Sequence, residues 1–265
     1  MTADVQASPV IAPIPLSILI RTKNEADRLS ACLRAAAQIG AEIVVVDSGS
    51  TDATAALAAG FGARVIFNPW TGFGPQRFFG EAHCGHEHIF SLDADEIVTP
   101  AMAAEIRALF LSKTPPSLIR VRKAMIFPHW TKPPPLGFCH EQILIYDRRI
   151  ARTGPNPNWD KLEISAPAKP WRLRAPLWHF SYRDWAHAVA KASYVARLAA
   201  DTHKARPRWQ LAIRLVFEFP LTFLKFYVVR RYALGGLDGV AMAAISAFGR
   251  WLRVAMMLEK SKYGR

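Results

Sequence analysis

The sequence predicts an α/β fold with a largely parallel sheet. Short β-branched runs alternate with helix-forming runs through residue 112, each segment is too short to be anything larger, and the strand ends open into polar clusters. Leu16-Ser17-Ile18-Leu19-Ile20 is a brief apolar run that reads as a buried strand. Glu25 to Gln38 follows with Leu29, Cys32, Leu33 and Ala36 at helical spacing. Glu42-Ile43-Val44-Val45-Val46 is a second strand closing at Asp47, and Ala53 to Ala59 is a run of strong helix formers stopped by Gly60 and Gly62. Arg64 to Phe67 makes a third strand, Pro75 to Cys84 a helix, and His88 to Leu92 a fourth strand delivering Asp93. Pro100 suits the first turn of a helix over Ala101 to Leu111.

In parallel sheets of this kind ligands gather beyond the carboxyl ends of the strands. Thr22-Lys23-Asn24-Glu25 follows strand one, Asp47 to Asp52 follows strand two, and Asp93 to Glu96 follows strand four. No Gly-x-Gly-x-x-Gly follows strand one, which argues against a dinucleotide dehydrogenase, and the absence of a Gly-Lys-Ser/Thr loop argues against a P-loop enzyme.

The middle of the chain, 113–177, offers two strand-like runs, Leu118 to Val121 and Gln142 to Tyr146, read as a pair. They flank a Pro- and aromatic-rich loop from Phe127 to Phe138, which Pro128, Pro133, Pro134 and Pro135 keep from being helical. It is a candidate substrate-lining or mobile loop. Three helices follow, over Asp184 to His203, Trp209 to Arg231 and Val240 to Lys260. Arg214, Glu218 and Lys225 interrupt the second, so it suits an amphipathic helix at a membrane interface or packed on the domain better than a spanning helix.

Charge separates the two halves. Residues 1–110 carry 7 Lys/Arg and 12 Asp/Glu, whereas 111–265 carry 27 and 9, within a net charge of +13. A basic half suits nucleic acid, anionic lipid or an anionic substrate, and charge alone does not choose. No basic-aromatic nucleic-acid motif accompanies it, so no nucleic-acid partner is expected. Cys32, Cys84 and Cys139 suit neither a disulfide framework nor a zinc site and fit a reducing cytoplasm. Met1 to Pro15 reads as a disordered tail without the basic start and apolar run of a signal peptide.

Asp93-Ala94-Asp95 is the chemical centre of the sequence. Two carboxylates joined by one small residue form a hard-oxygen site suited to Mg2+ or Mn2+, ions that commonly share ligands with substrate phosphates. Asp47 can accept hydrogen bonds from a base or ribose, while Ser50 and Asp52 also suit helix capping. His83, His86 and His88 read as solvated imidazoles at a helix end rather than as metal ligands.

These segments resemble family 2 glycosyltransferases. The runs Ser17 to Glu25, Glu42 to Asp52 and Ser91 to Glu96 carry the likeness. Trp70 to Arg77, His179-Phe180-Ser181-Tyr182 and Gly235 to Gly239 narrow it toward bacterial lipopolysaccharide core β-glycosyltransferases of the β-1,4-glucosyltransferase type. The resemblance implies a GT-A (Rossmann-like) nucleotide-sugar-binding domain over 16–180, with a donor half 16–112 and an acceptor half 113–180, and C-terminal amphipathic helices over 181–265. It implies a metal-dependent enzyme that displaces a nucleotide diphosphate, UDP in expectation, with inversion. Thr22, Asn24, Glu25, Asp47, Ser50, Asp52, Gln76, Arg77, Asp93 and Ala94 would border the donor, and Asp93 and Asp95 the metal. Lys23 and Arg21 suit either a site role or plain solvation.

Inversion requires a general base near the acceptor hydroxyl. Where relatives carry a His-Glu pair this chain reads Trp159-Asp160, which nominates Asp160, with Glu141 as rival. Leu144 stands where relatives carry an arginine. The expected acceptor is a lipid-linked or anionic glycan such as lipopolysaccharide core, reached from an anionic membrane surface by a cytoplasmic, peripheral enzyme on the inner face. Transfer to a polyprenyl phosphate, or a non-catalytic glycan- or nucleotide-binding module of the same fold, are the alternative readings.

Overall fold

A computed structural model describes residues 12–112, 114–202 and 206–263. Most of the tail expected over 1–15 lies outside the described residues. The chain divides into two compact units, one of Met1–Arg122 and Gln142–Leu177, the other of Lys123–Glu141 and Trp178–Arg265.

The first unit is built on the expected sheet. Strands β1 (Ser17–Thr22), β2 (Glu42–Asp47), β3 (Arg64–Phe67) and β4 (His88–Asp93) lie in the order β3-β2-β1-β4, and all three pairings are parallel. Parallel strands need long crossovers, and the helices α1 (Ala26–Ala37), α2 (Thr54–Gly60) and α3 (Phe73–His83) provide them. Alternation along β1 and β2 sorts the core. Ile18, Ile20 and Val45 join Leu29 and Leu33 of α1 and Met102 and Ile106 of α4 (Pro100–Leu111), whereas Leu19, Val44 and Val46 belong to a second cluster with Cys84 and Tyr146. Helix α3 lies close over that second face, because a Cβ at Gly80 would overlap Leu19 and Val46.

Beyond β4 the sheet continues through β7 (Cys139–Asp147), β6 (Leu118–Met125), β10 (Trp171–His179) and β5 (Glu96–Val98), with β4 and β7 antiparallel. Strands β6 and β7 are neighbours, as expected. A separate hairpin pairs β8 (Ala151–Thr153) with β9 (Leu162–Ile164). Sequence periodicity misses β5, β8 and β9, which are three residues each, and β10, whose alternation is broken by Pro176. Together these elements form the mixed α/β GT-A arrangement that the family resemblance implies.

The second unit holds α5 (Trp185–Thr202), α6 (Arg208–Leu224) and α7 (Gly236–Tyr263). The compact units part between Leu177 and Trp178, three residues before the expected boundary, and Lys123–Glu141 also belongs to the helical unit. The division cuts through β6, β7 and β10, and the Pro-rich loop goes with the helices. The reason is packing. Phe127 meets Trp130 and Tyr232 edge-on, and the indole of Trp130 donates to Asp238 at 2.7 Å. Helix α6 ends earlier than expected, where the chain widens into one turn of π-helix over Lys225–Val229 and Arg231 adopts a left-handed conformation. Gly239 faces the Tyr232 carbonyl so closely that a Cβ would overlap it. Gly239→Ala should therefore destabilise the protein by about 2–3 kcal/mol, read by urea unfolding; an unchanged midpoint would refute this close packing.

Candidate functional site

Register places the polar strand ends side by side. Thr22 of β1 is abreast of Asp47 of β2, and Arg21 is abreast of Asp93 of β4. The loops that leave these strands are cross-linked to one another. Asp47 is buried, and its carboxylate accepts from the backbone N–H groups of Gly49 and Ser50 and from the Ser50 hydroxyl, closing the turn after β2. Asn24, left-handed at φ 54°, accepts from the Thr51 amide at 2.8 Å while its own amide donates to Ser50 Oγ at 2.9 Å. Glu25 donates its amide to Thr54 Oγ1 at 2.9 Å, and Asp52 accepts from the amides of Ala26 and Thr54. Asp52 therefore serves the start of α1 as well as its own turn, and Ser50 bridges two loops instead of capping a helix. Thr22 is buried with its hydroxyl unpartnered among the described residues.

The second feature is a closed ring of charge. Asp93 Oδ1 accepts from Arg21 at 3.0 Å and from Arg77 at 2.8 Å, and Asp160 Oδ2 accepts from the same two guanidinium groups at 2.8 and 3.1 Å. The Arg77 side chain is only 6% exposed. Burial alone would depress its pKa, yet the carboxylates of Asp93 and Asp160 outweigh burial and raise it, so the guanidinium stays charged. Burial likewise works against the charged form of Asp160, but Arg77 and Arg21 win and hold its carboxyl below the usual range. Arg21 also donates to the Phe73 carbonyl at 2.9 Å, at the start of α3.

The loop carrying Asp160 is seated by backbone contacts. The amides of Phe73 and Gly74 donate to the carbonyls of Pro157 and Asn156, at 2.8 and 3.1 Å. Gly72 and Gly74 permit this approach, because a Cβ at either position would run into the loop backbone. Glu81, fully buried on α3, accepts from the Tyr146 and Thr153 hydroxyls at 2.6 Å and from the Thr153 amide at 3.0 Å, fixing the strand that leads into the loop.

Asp93-Ala94-Asp95 stands at the mouth of β4. Ala94 is buried in the core, while the flanking carboxylates are partly exposed. Glu96, fully buried, accepts from the Asp93 amide and braces the turn. Arg28 ties Glu25 at 2.6 Å and stands 3.8 Å from Asp95. The formal charges of Glu25, Asp93, Asp95 and Asp160 exceed those of Arg21, Arg28 and Arg77, even before Glu96 is counted. An all-oxygen donor set with surplus negative charge fits a hard divalent cation held by one or two carboxylates and substrate phosphates. Among the described residues no group of three or more His, Cys, Asp or Glu is placed to hold a metal ion by itself.

Several expected roles change. Gln76 is fully buried and spans from Ser48 Oγ to the Asn68 carbonyl, each at 3.0 Å, so it frames the site from behind and offers no surface to a donor. Asp160 is clasped by two arginines, which makes it a weak proton acceptor and a poor general base. Glu141 belongs to the other compact unit and is not part of this cluster. His88 is a half-buried strand residue edge-on to Phe110, not a solvated imidazole, and burial lowers its pKa. Sequence reasoning leaves the role of Arg21 open and misses Arg28 and Glu81. A charged residue at the end of an otherwise apolar strand, opposite another strand's terminal aspartate, is the available signal for Arg21.

The ring predicts a pH-dependent stability difference. Asp160 has a folded pKa below its unfolded value of about 3.9. Its contribution is therefore present above that value and lost as pH falls through the lower folded pKa. Asp160→Asn should cost about 2 kcal/mol at neutral pH, with the gap narrowing near pH 3 in urea unfolding. A gap that does not vary with pH would count against the ion-paired carboxylate.

The geometry agrees with comparisons to known proteins. A model described as glycosyl transferase family 2 matches residues 17–156. An uncharacterized glycosyltransferase of Rickettsia bellii is 29% identical over 255 residues, covering 93% of this chain and 87% of its own. A lipopolysaccharide core biosynthesis glycosyltransferase of Rhizobium meliloti is 26% identical over 264 residues, covering 95% of this chain and 94% of its own. Glucosyl-3-phosphoglycerate synthase from Mycobacterium tuberculosis, crystallised with Mn2+, UDP and glucosyl-3-phosphoglycerate, aligns with a TM-score of 0.34 and 20% identity. That alignment covers 43% of this chain and 44% of that one, so the match spans less than half of the solved protein. The family match takes in more than half of the chain and every residue of the charged cluster except Asp160: the chain belongs to glycosyl transferase family 2 and is a glycosyltransferase.

Proposed function

We propose that this enzyme moves a sugar, with inversion, from a UDP-linked donor to an anionic, lipid-linked glycan of the lipopolysaccharide core type, working on the inner face of the cytoplasmic membrane. The observation that carries the donor side is the common edge formed by the ends of β1, β2 and β4. There the Asn24–Ser50–Asp47 lattice lies next to the Asp93-Ala94-Asp95 turn. The lattice offers a preformed surface for base and ribose, and Asp93 and Asp95 would hold a divalent cation. When bound, that cation supplies positive charge to the departing diphosphate. Arg21 and Arg77 hold Asp93 in place, which keeps the carboxylate from swinging away before the donor arrives.

In the proposed reaction the acceptor oxygen forms a bond to the anomeric carbon as the bond to the diphosphate breaks, and the acceptor proton passes to a carboxylate. Asp160, engaged by two guanidinium groups, is a poor candidate for that carboxylate. The acceptor class rests on two supports, the likeness to a relative named for lipopolysaccharide core biosynthesis and the basic balance of the back half.

Screening nucleotide sugars for cation-dependent hydrolysis tests the donor side. One UDP-sugar should be preferred, chelation should abolish turnover, and Asp95→Ala should lower it by about a hundredfold or more. Turnover indifferent to both chelator and Asp95→Ala would sink the metal assignment. Transfer to polyprenyl phosphate in place of a core oligosaccharide would overturn the acceptor assignment.

A further inference from the structure

Helix α6 is amphipathic in the opposite sense from an ordinary surface helix. After Arg208, every exposed residue of this helix is apolar. Trp209, Ile213, Val216, Phe217, Leu221 and Leu224 recur at helical spacing along the outward stripe, with Trp209 64%, Val216 67% and Leu221 62% exposed. The polar residues turn the other way: Glu218 accepts from Arg214 at 2.7 Å and from Arg253 of α7 at 3.3 Å. A continuous apolar stripe along 17 residues, about 25 Å at the helical rise, is more than a water-facing surface ordinarily carries.

The charge around the stripe identifies what covers it. Between residues 206 and 231 the chain has six Lys/Arg and one acid, Glu218, and that acid is the one turned inward onto two arginines. Arg206 and Arg208 lie at one end of the stripe and Lys225 and Arg231 at the other, all exposed. Residues 178–265 as a whole carry 15 Lys/Arg against 5 Asp/Glu. An apolar strip with cationic ends and no exposed acid is the pattern of a helix lying in the plane of an anionic bilayer, with its side chains among the acyl chains and its cations at the headgroups.

A spanning arrangement fits less well. The 232–263 stretch is long and apolar enough to cross a membrane. However, α7 buries Met242, Ala243, Ala247, Val254 and Met257 within the helical unit, and the α6 ion pairs hold Arg253 on that same inner side.

We infer that the outward face of α6 is the membrane-docking surface of the protein and that its partner is an anionic phospholipid bilayer. The inference rests on the proposal of a lipid-linked acceptor and deepens it, by assigning the surface that brings the enzyme to that acceptor.

The test is flotation of the full chain with vesicles of phosphatidylcholine mixed with phosphatidylglycerol, and with phosphatidylcholine alone. Wild type should float with the mixed vesicles and bind the neutral ones far more weakly. Val216→Asp combined with Leu221→Asp should weaken binding at least about tenfold, since both side chains are solvent-facing and their loss removes insertion without opening the core. Arg208→Glu combined with Lys225→Glu, which leaves the apolar stripe intact, should erase the preference for the anionic vesicles. Thermal melting followed by circular dichroism confirms that each variant is folded. Unchanged flotation of the folded Val216/Leu221 variant would overturn the assignment. So would a wild type that ignores vesicles and forms a dimer that this variant breaks, because the stripe would then be a self-association surface. Hydrolysis of the nucleotide sugar without acceptor is measured on the same proteins. Its absence in wild type would count against the donor reading alone, whereas lost flotation with hydrolysis intact isolates the membrane surface.

Discussion

The strand-end site depends on two arginines shared between two aspartates. Arg21 comes from β1, Arg77 from α3, Asp93 from β4 and Asp160 from the loop after β8. None of these four groups is stable alone at that depth, because a half-buried charge without a partner costs several kcal/mol. Joined in alternation, each side chain meets two opposite charges. Four segments distant in sequence are thereby held at one end of the sheet. Arginine suits the task better than lysine, since its planar fork can serve two carboxylates at once and its charge survives burial. The pKa of Arg77 illustrates the balance: desolvation pulls it down, and the flanking carboxylates more than restore it.

The surrounding structure serves this ring in two ways. Glu81 and the close backbone approach at Gly72 and Gly74 seat the loop that brings Asp160 in, and Gln76 locks the base of α3 to the turns after β2 and β3. The lattice of Asn24, Ser50, Asp47 and Asp52 then fixes the adjacent loops with hydrogen bonds between side chain and backbone. Loops tied in this way lose little further entropy when a ligand settles on them, which is the benefit of building a binding surface before the ligand arrives.

Legibility followed length and locality. The four parallel strands and their helices are legible because each is a periodic run bounded by breakers, and the strand-end rule then points to Asn24, Asp47 and Asp93. The rest depends on residues far apart in sequence. Gln76 lies within a motif that marks the family, so a donor role follows naturally from the motif; only the fold shows that it is spent behind the site. Asp160 is nominated by position relative to a family pattern, and nothing local announces that Arg21 and Arg77 converge on it from 139 and 83 residues away. Glu81 gives no sequence signal either, since its partners Tyr146 and Thr153 are brought to it by β7 and β8. The helical unit shows a different limit. Periodicity locates α6, but a helical wheel cannot say which side the protein covers, and the apolar side is the open one.

The charge asymmetry between the two halves matches the roles proposed for each. The strand-end edge gathers carboxylates in excess, which suits the cation-bridged diphosphate of the proposed reaction. The helical region carries fixed cations and needs none. Fixed cations alone make weak anchors, because their attraction to an anionic surface is screened within about 8–10 Å at physiological salt. They bring the chain to the surface and orient it, but they resist dissociation poorly. Apolar side chains act in the opposite manner, with no reach and strong retention once they are out of water. Helix α6 combines the two on one element: cations at its ends and an uncharged stripe between them. The inward turn of Glu218 is the necessary complement, since one acid on the outer face would oppose both effects at once. The Arg214–Glu218–Arg253 contacts are therefore more than packing between α6 and α7, for they keep the only acid of the segment away from the surface on which a negative charge would do most harm.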